Sequence, residues 1–355
     1  MSRLEKIKNA VCDAGLDAIY VTSTENHLYS CGFNNPDGQV LITKNKSYVF
    51  ADFRYAEAAR RECADGFEVV MPTGSADKLL PDLLAENEVK VLGFEEGVMS
   101  FKQYSALKSA VSCEMAPAAA VMDRLRVTKT REETDKIIKA QRIAEKALEA
   151  LIPRITYDMT EREVAAELEY LMKRYGSEKE SFETIAVSGS NSSSPHGVPR
   201  NVKLEKGFLT LDFGAVIDGY HSDMTRTLVI GKADEEMKRL YNTVLEAQLA
   251  ALEEISEGKS NFEIDKVARD IIEGAGYKGC FGHSLGHGVG LLIHESPSLS
   301  PASPKDMVLH EGEIVTIEPG IYIEGKYGCR IEDMVYITKG GAENLTRAPK
   351  ELIEI

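Results

Sequence analysis

The sequence predicts an α/β (α+β) chain in two domains, a smaller mixed α/β domain over residues 1–124 and a larger one over residues 125–355. Three observations carry this expectation. The first part of the chain alternates helical and strand-like stretches, the pattern of a sheet covered by helices. Thr130 with Glu133 three residues later forms a capping box, so a new helix should start just past residue 125. Beyond it, two helix pairs each lead into a pair of apolar strands, and the strand pairs resemble one another.

In order along the chain, Arg3 to Ala14 has helical periodicity and meets Gly15. Residues 17–22 read as a strand. Gln39–Thr43 and Ser47–Ala51 flank a Lys-Asn-Lys turn and suggest a hairpin. Phe53 to Cys63 reads as a helix, and residues 68–71 and 89–94 as strands. In the larger domain the helices expected at 131–151 and 160–175 precede strands at 208–213 and 220–230. Those expected at 234–256 and 261–275 precede strands at 313–318 and 329–337. We read this as a pseudo-duplicated ααββ unit.

Length agrees with two domains, since 355 residues exceed twice the common domain size of about 150. Fifty-seven acidic residues against 42 basic ones give a net charge of −15. That argues against a general nucleic-acid-binding role, which needs a basic surface. No apolar run reaches the length of a membrane span, and the N-terminus lacks the apolar core of a signal peptide. The six cysteines are scattered without a CxxC pair, which suggests free thiols and a cytoplasmic protein. Five of the seven histidines crowd between residues 196 and 294.

The first strand pair already carries a chemical signal. Asp212 ends an apolar strand, where aspartate is depleted. Asp218-Gly219 is a type I′ turn signal. If that turn closes a two-residue hairpin, Asp212 lies opposite Thr225, and Asp223 points to the same face. The second pair repeats the pattern with Glu318, just before Pro319-Gly320, and Glu332. Like charges gathered this closely repel unless a cation or proton lies between them. Four carboxylates exceed what one divalent ion offsets, so two metals are the natural count. Metal pairs about 3.5–4 Å apart are a recurrent hydrolytic device. Oxygen donors with one imidazole suit Mn²⁺, Co²⁺, Fe²⁺ or Zn²⁺. The imidazole is sought in residues 282–295, where His283, His287 and His294 lie in a glycine-rich segment unsuited to a stable helix. It is no HExxH helix, because Ser298 stands four residues after His294. The chain contains no GxSxG elbow and no GxxxxGK[ST] loop. Cys329 reads as a packed thiol.

These residues, in this order, resemble the metallopeptidases of the pita-bread fold, and among them the Xaa-Pro peptidases, aminopeptidase P and prolidase. The likeness rests on Asp212-Phe-Gly-Ala, Ser222-Asp223-Met-Thr-Arg-Thr, His283-Ser-Leu-Gly-His287-Gly-Val-Gly-Leu, His294-Glu295, Glu318-Pro-Gly and Arg330-Ile-Glu332-Asp. It implies a creatinase-like N-terminal domain over 1–124 and a pita-bread catalytic domain over 125–355. It implies a metal set of Asp212, Asp223, His287, Glu318 and Glu332 holding two divalent ions, manganese foremost, with cobalt, zinc or iron as alternatives. Glu318 would also be the general base. His196 and His294 would be the substrate-side, catalytic histidines, and His283 would shape the proline pocket. Arg330 would support the carboxylate cluster without touching metal. His221 receives no role. The implied activity is removal of the residue before proline from Xaa-Pro dipeptides or longer peptides, by a homodimer. The readings set against it are a non-enzymatic peptide-binding module on this scaffold and a creatinase-type amidinohydrolase. The complete ligand set argues against both.

Overall fold

The computed structural model describes every residue except 73 and 75–77. The chain divides into two compact units, Met1–Arg126 and Val127–Ile355.

In the first unit, Ser2 and Glu5 form a capping box on α1 (Arg3–Asp13). There follow β1 (Ala18–Val21), α2 (Thr24–Cys31), β2 (Gln39–Thr43), β3 (Ser47–Phe50), α3 (Ala56–Glu62) and β4 (Glu68–Val70). Next come α4 (Leu80–Glu86), β5 (Val91–Phe94), α5 (Phe101–Ala110), β6 (Glu114–Pro117) and α6 (Ala119–Val127). The strands make one sheet in the order β4-β3-β2-β1-β5-β6. Tyr20, Leu41, Phe50, Leu92 and Leu107 share its core. The helix expected from Phe53 begins three residues later. The Asp52 carboxylate accepts from Arg54 N at 2.8 Å, which holds a turn there and leaves Phe53 82% exposed.

The second unit starts with α7 (Arg131–Leu151), on which Thr130 and Glu133 form their capping box. It continues through α8 (Glu161–Arg174), β7 (Ile185–Ser188), β8 (Gly207–Phe213), β9 (Val216–Ile217), β10 (Tyr220–His221) and β11 (Met224–Ile230). Then come α9 (Glu235–Glu254), α10 (Asn261–Ile272), β12 (Gly286–Gly288), β13 (Glu295–Leu299), β14 (Ile314–Ile317), β15 (Gly320–Ile323), β16 (Tyr327–Arg330), β17 (Asp333–Thr338) and β18 (Gly341–Asn344). Helices α7 and α8 bury Ala144, Leu148 and Leu168 in one core with Leu209, Leu211 and Phe213. Helices α9 and α10 bury Leu240, Val244 and Ile264 in another with Val315, Ile317 and Val335. Each half of the expected duplication thus has its own helix pair, hairpin and core.

The hairpins differ from expectation in one respect. The strands anticipated at 220–230 and 329–337 are each interrupted, at Ser222–Asp223 and at Ile331–Glu332. Register carries across both breaks. Val216 pairs His221 and Phe213 pairs Met224, while Ile317 pairs Asp333 and Gly320 pairs Arg330. The first break is held by Ser222, whose Oγ accepts from Ala215 N at 3.0 Å. Gly214 faces it so closely that a Cβ would lie 1.8 Å from Ser222 O. The turn beyond has Asp218 at φ 49° and Gly219 at φ 77°, both positive as a type I′ turn requires.

Candidate metal centre

Asp223 and Glu332 occupy the two interruptions, and Glu318 lies at the β14–β15 break. A carboxylate there is freed from strand alternation and can turn toward its counterpart in the other hairpin. Asp212 lies opposite Thr225, as the two-residue turn requires. His287 comes from β12, which pairs β14 through Gly288 and Val315. Its approach depends on Gly286, where a Cβ would meet Thr316 O at 1.9 Å. The result is a cleft of about 480 Å³ lined by all nine residues singled out above: His196, Asp212, Asp223, His283, His287, His294, Glu318, Arg330 and Glu332. His221 is not among its lining residues. It is buried, with Nδ1 2.8 Å from Ser181 Oγ.

Ligating atoms of Asp223, His287 and Glu332 all lie within 4.8 Å of one another. His287 Nε2 is 3.5 Å from Asp223 Oδ2 and 3.3 Å from Glu318 Oε1. Its Nδ1 faces Gly288 O at 3.1 Å, which assigns the ring proton to Nδ1. Burial depresses the imidazole's pKa, so the ring is neutral and Nε2 presents a lone pair to two carboxylates. Acceptors facing acceptors in a buried place is a sound arrangement only around a cation. Asp212 makes the same point. Its Oδ2 accepts from Arg330 Nη2 at 2.6 Å, while its buried Oδ1 has no hydrogen-bond partner. The donor set therefore fits divalent metal.

The electrostatics agree. Burial, then the neighbouring carboxylates, pushes Asp223 and Glu332 well above the ordinary carboxyl range. Glu318 is pushed up to about 7, chiefly by burial, with Arg330 opposing and Asp212 adding. Burial and the adjacent His287 and His196 lower His294. The rings of His294 and His287 lie 4.3 Å apart.

The site also contains residues that sequence reasoning missed. Thr225 Oγ1 donates to Glu332 Oε2 at 2.6 Å and accepts from Arg330 Nε at 3.0 Å. Thr316 Oγ1 donates to Glu318 Oε1 at 3.0 Å and accepts from His287 N at 3.0 Å. Thr225 could have been found, because the expected register placed it opposite Asp212. Tyr322 could not. Its hydroxyl accepts from Arg330 Nη1 at 2.6 Å and faces His283 Nε2 at 3.0 Å. With His283 Nδ1 at 2.8 Å from Ser284 O, both nitrogens of that ring are engaged within the protein.

Fold and site together define a metallopeptidase built on a pseudo-duplicated catalytic domain. Residues 135–339 match metallopeptidase family M24, and residues 3–128 match the creatinase/prolidase N-terminal domain. The chain belongs to the M24 family, and its fold is a creatinase-like domain ahead of a pita-bread domain, as expected from its motifs. It is 39% identical to the Xaa-Pro dipeptidase of Pyrococcus furiosus, over 99% of each chain. Among solved structures, an Xaa-Pro dipeptidase from Bacillus anthracis matches with a TM-score of 0.96 and 40% identity over 99% of both chains. An X-Pro aminopeptidase from Thermotoga maritima matches with a TM-score of 0.92 and 34% identity over the whole of both. Membership in this metallopeptidase family implies divalent metal ions. No helix among the described residues is long and apolar enough to cross a membrane.

Proposed function

We propose that this chain is a two-metal Xaa-Pro exopeptidase, which hydrolyses the bond between an N-terminal residue and a following proline. The observation that carries the metal centre is the set of buried acceptors aimed at one another, Asp223, Glu332, Glu318 and the His287 lone pair, with Asp212 Oδ1 left unpartnered beside them. The likeness to Xaa-Pro dipeptidases and to an X-Pro aminopeptidase supports the substrate class.

Asp212, Asp223, His287, Glu318 and Glu332 would hold two divalent ions, manganese foremost and cobalt, zinc or iron next. Such ions polarise the scissile carbonyl and acidify water. Glu318, oriented by Thr316 Oγ1 at 3.0 Å, is suited to take a proton from water and return it to the leaving nitrogen. His294, neutral near pH 7, offers an N–H to developing charge, and His196, which lines the same cleft, can offer another. His283, with both nitrogens engaged, contributes a ring wall rather than a hydrogen bond. Arg330 keeps Asp212 in place. We further propose a cytoplasmic homodimer acting on proline-containing peptides, and the likeness to Xaa-Pro dipeptidases favours Xaa-Pro dipeptides as substrates.

Metal analysis of the purified protein, with turnover of an Xaa-Pro dipeptide and an Xaa-Pro-Yaa tripeptide, tests this. A protein inactive on both after loading with Mn²⁺, Co²⁺ or Zn²⁺ sinks the reading. The ratio of the two rates separates dipeptidase from aminopeptidase.

A further inference from the structure

His196 reaches the cleft from an irregular segment between β7 and β8 that should be mobile by composition. It runs Gly189-Ser-Asn-Ser-Ser-Ser-Pro-His196-Gly-Val-Pro. The His196 side chain is exposed and no hydrogen bond holds its ring among the described residues. Its place must therefore be set through the backbone.

That backbone converges on one buried carboxylate. Glu161, the first residue of α8, is fully buried. Oε1 accepts from Ser188 N at 2.8 Å and Ser188 Oγ at 3.0 Å, on the arm entering the segment. Oε2 accepts from Asn191 Nδ2 at 3.0 Å on the same arm. From the leaving arm, Arg200 gives Oε2 its backbone N at 2.8 Å and its Nε at 3.0 Å, and gives Oε1 its Nη2 at 2.9 Å. Six hydrogen bonds thus tie both arms to one side chain, with His196 between them. Bonds to an ionised acceptor are among the strong ones, and the N-terminal end of α8 favours the charge. A third tether comes from the cleft itself, where Arg330 Nη1 lies 3.3 Å from Pro195 O, next to His196.

We propose that Glu161 is a positioning residue for His196, holding the 188–200 segment so that the histidine stands at the lip of the metal centre. The inference rests on the peptidase reading above. It explains why a carboxylate that lines no part of the cleft receives so complete a set of donors, and why a serine-rich loop can present a side chain at a fixed place.

Glu161→Gln keeps the shape and removes the charge, and Arg200→Lys is a milder lesion that leaves Glu161 in place. With each variant fully loaded with Mn²⁺, kcat on an Xaa-Pro dipeptide should fall on the order of ten- to a hundredfold in Glu161→Gln. The loss should be smaller in Arg200→Lys, and bound metal should stay at the wild-type level in both. The discriminating result is coupling. In a His196→Ala background, Glu161→Gln should cost almost nothing further, because the group it positions has gone. Amide hydrogen exchange over 188–205 should rise in Glu161→Gln while that of α9 and α10 stays unchanged. Multiplicative losses in the double variant, or wild-type kcat in Glu161→Gln, overturn the proposal. An inactive wild-type enzyme overturns the peptidase reading instead. The clamp then stands or falls on the exchange rates, and unchanged protection of 188–205 overturns it.

Discussion

Arg330 commits all three guanidinium nitrogens inside the cleft: Nε to Thr225, Nη2 to Asp212, and Nη1 to Tyr322 and Pro195. It is 3% exposed, so none of these partners can turn to solvent instead. A lysine would keep the charge and lose the fork. Arg330→Lys should therefore lower kcat by about 10- to 100-fold, with a parallel loss of metal affinity, read by titrating activity against Mn²⁺. Glu318→Gln tests a different function. It removes the group suited to move the proton, so kcat at saturating metal should drop by about 10²- to 10⁴-fold. A variant within a few-fold of wild type on an Xaa-Pro dipeptide would show that the proton travels elsewhere. At this scale the sequence was informative where a residue type was out of place. Asp212 in an apolar strand and three histidines among glycines are anomalies visible in one dimension. Tyr322 is an ordinary strand aromatic, and only folding brings it to Arg330 and His283. Glu161 was equally silent, because an acidic residue in a first helical turn is what any helix prefers.

The hairpins show what an element adds to a list of residues. Each keeps one register through a break, and the break is where a carboxylate leaves the ladder. Gly214 is the tightest point, with Ser222 O 1.8 Å and Ser181 Cβ 2.8 Å from where its Cβ would lie. Gly214→Ala must displace the Ser222–Asp223 break, at a cost of about 1–3 kcal/mol or more, measurable by urea unfolding. Gly282 is the control, since nothing lies within 4 Å of a Cβ there and Gly282→Ala should stay within about 0.5 kcal/mol of wild type. Equal stability of the two variants would refute the close-approach account. The Asp-Gly turn and alternating apolar residues made the first hairpin and its register legible from sequence. Strands β12 and β13 were not, because Gly286–Gly288 and Glu295–Leu299 carry glycine, serine and proline where strands favour branched residues. They are strands because β14 offers an edge to β12, and β12 in turn offers one to β13. Helices α2 and α5 were missed because neither has a clear apolar stripe, and their serine caps were the signal left unused.

At the scale of the whole catalytic unit, its two halves and the C-terminal segment meet at Asp333. Its Oδ1 pairs with Arg226 of β11 at 2.8 Å. Its Oδ2 pairs with Lys350 at 2.5 Å and accepts from Asn344 at 2.6 Å. Arg226 also donates to Glu332 O at 2.6 Å and to Ala348 O at 2.7 Å, so one guanidinium ties β11 to the neighbouring strand end and to the tail. Asp333 is fully buried and Arg226 is 2% exposed. Although burial opposes the charge, Arg226 and Lys350 hold the Asp333 carboxyl below its ordinary value of 3.8. A carboxyl depressed in the folded state stabilises the fold above its unfolded value and loses that contribution as pH falls through its folded value. Asp333 should therefore leave neutral-pH stability flat and weaken the unit only below about pH 4. Asp333→Asn leaves the buried Arg226 and the half-buried Lys350 beside a neutral amide, which should cost about 3–5 kcal/mol at pH 7. Because the variant has no carboxyl here to protonate, its deficit should shrink as pH is lowered toward 3. Urea unfolding of both proteins across pH 3–7 reads this directly. A deficit that stays constant over that range would mean that lost packing, not the buried charge, is what Asp333 contributes.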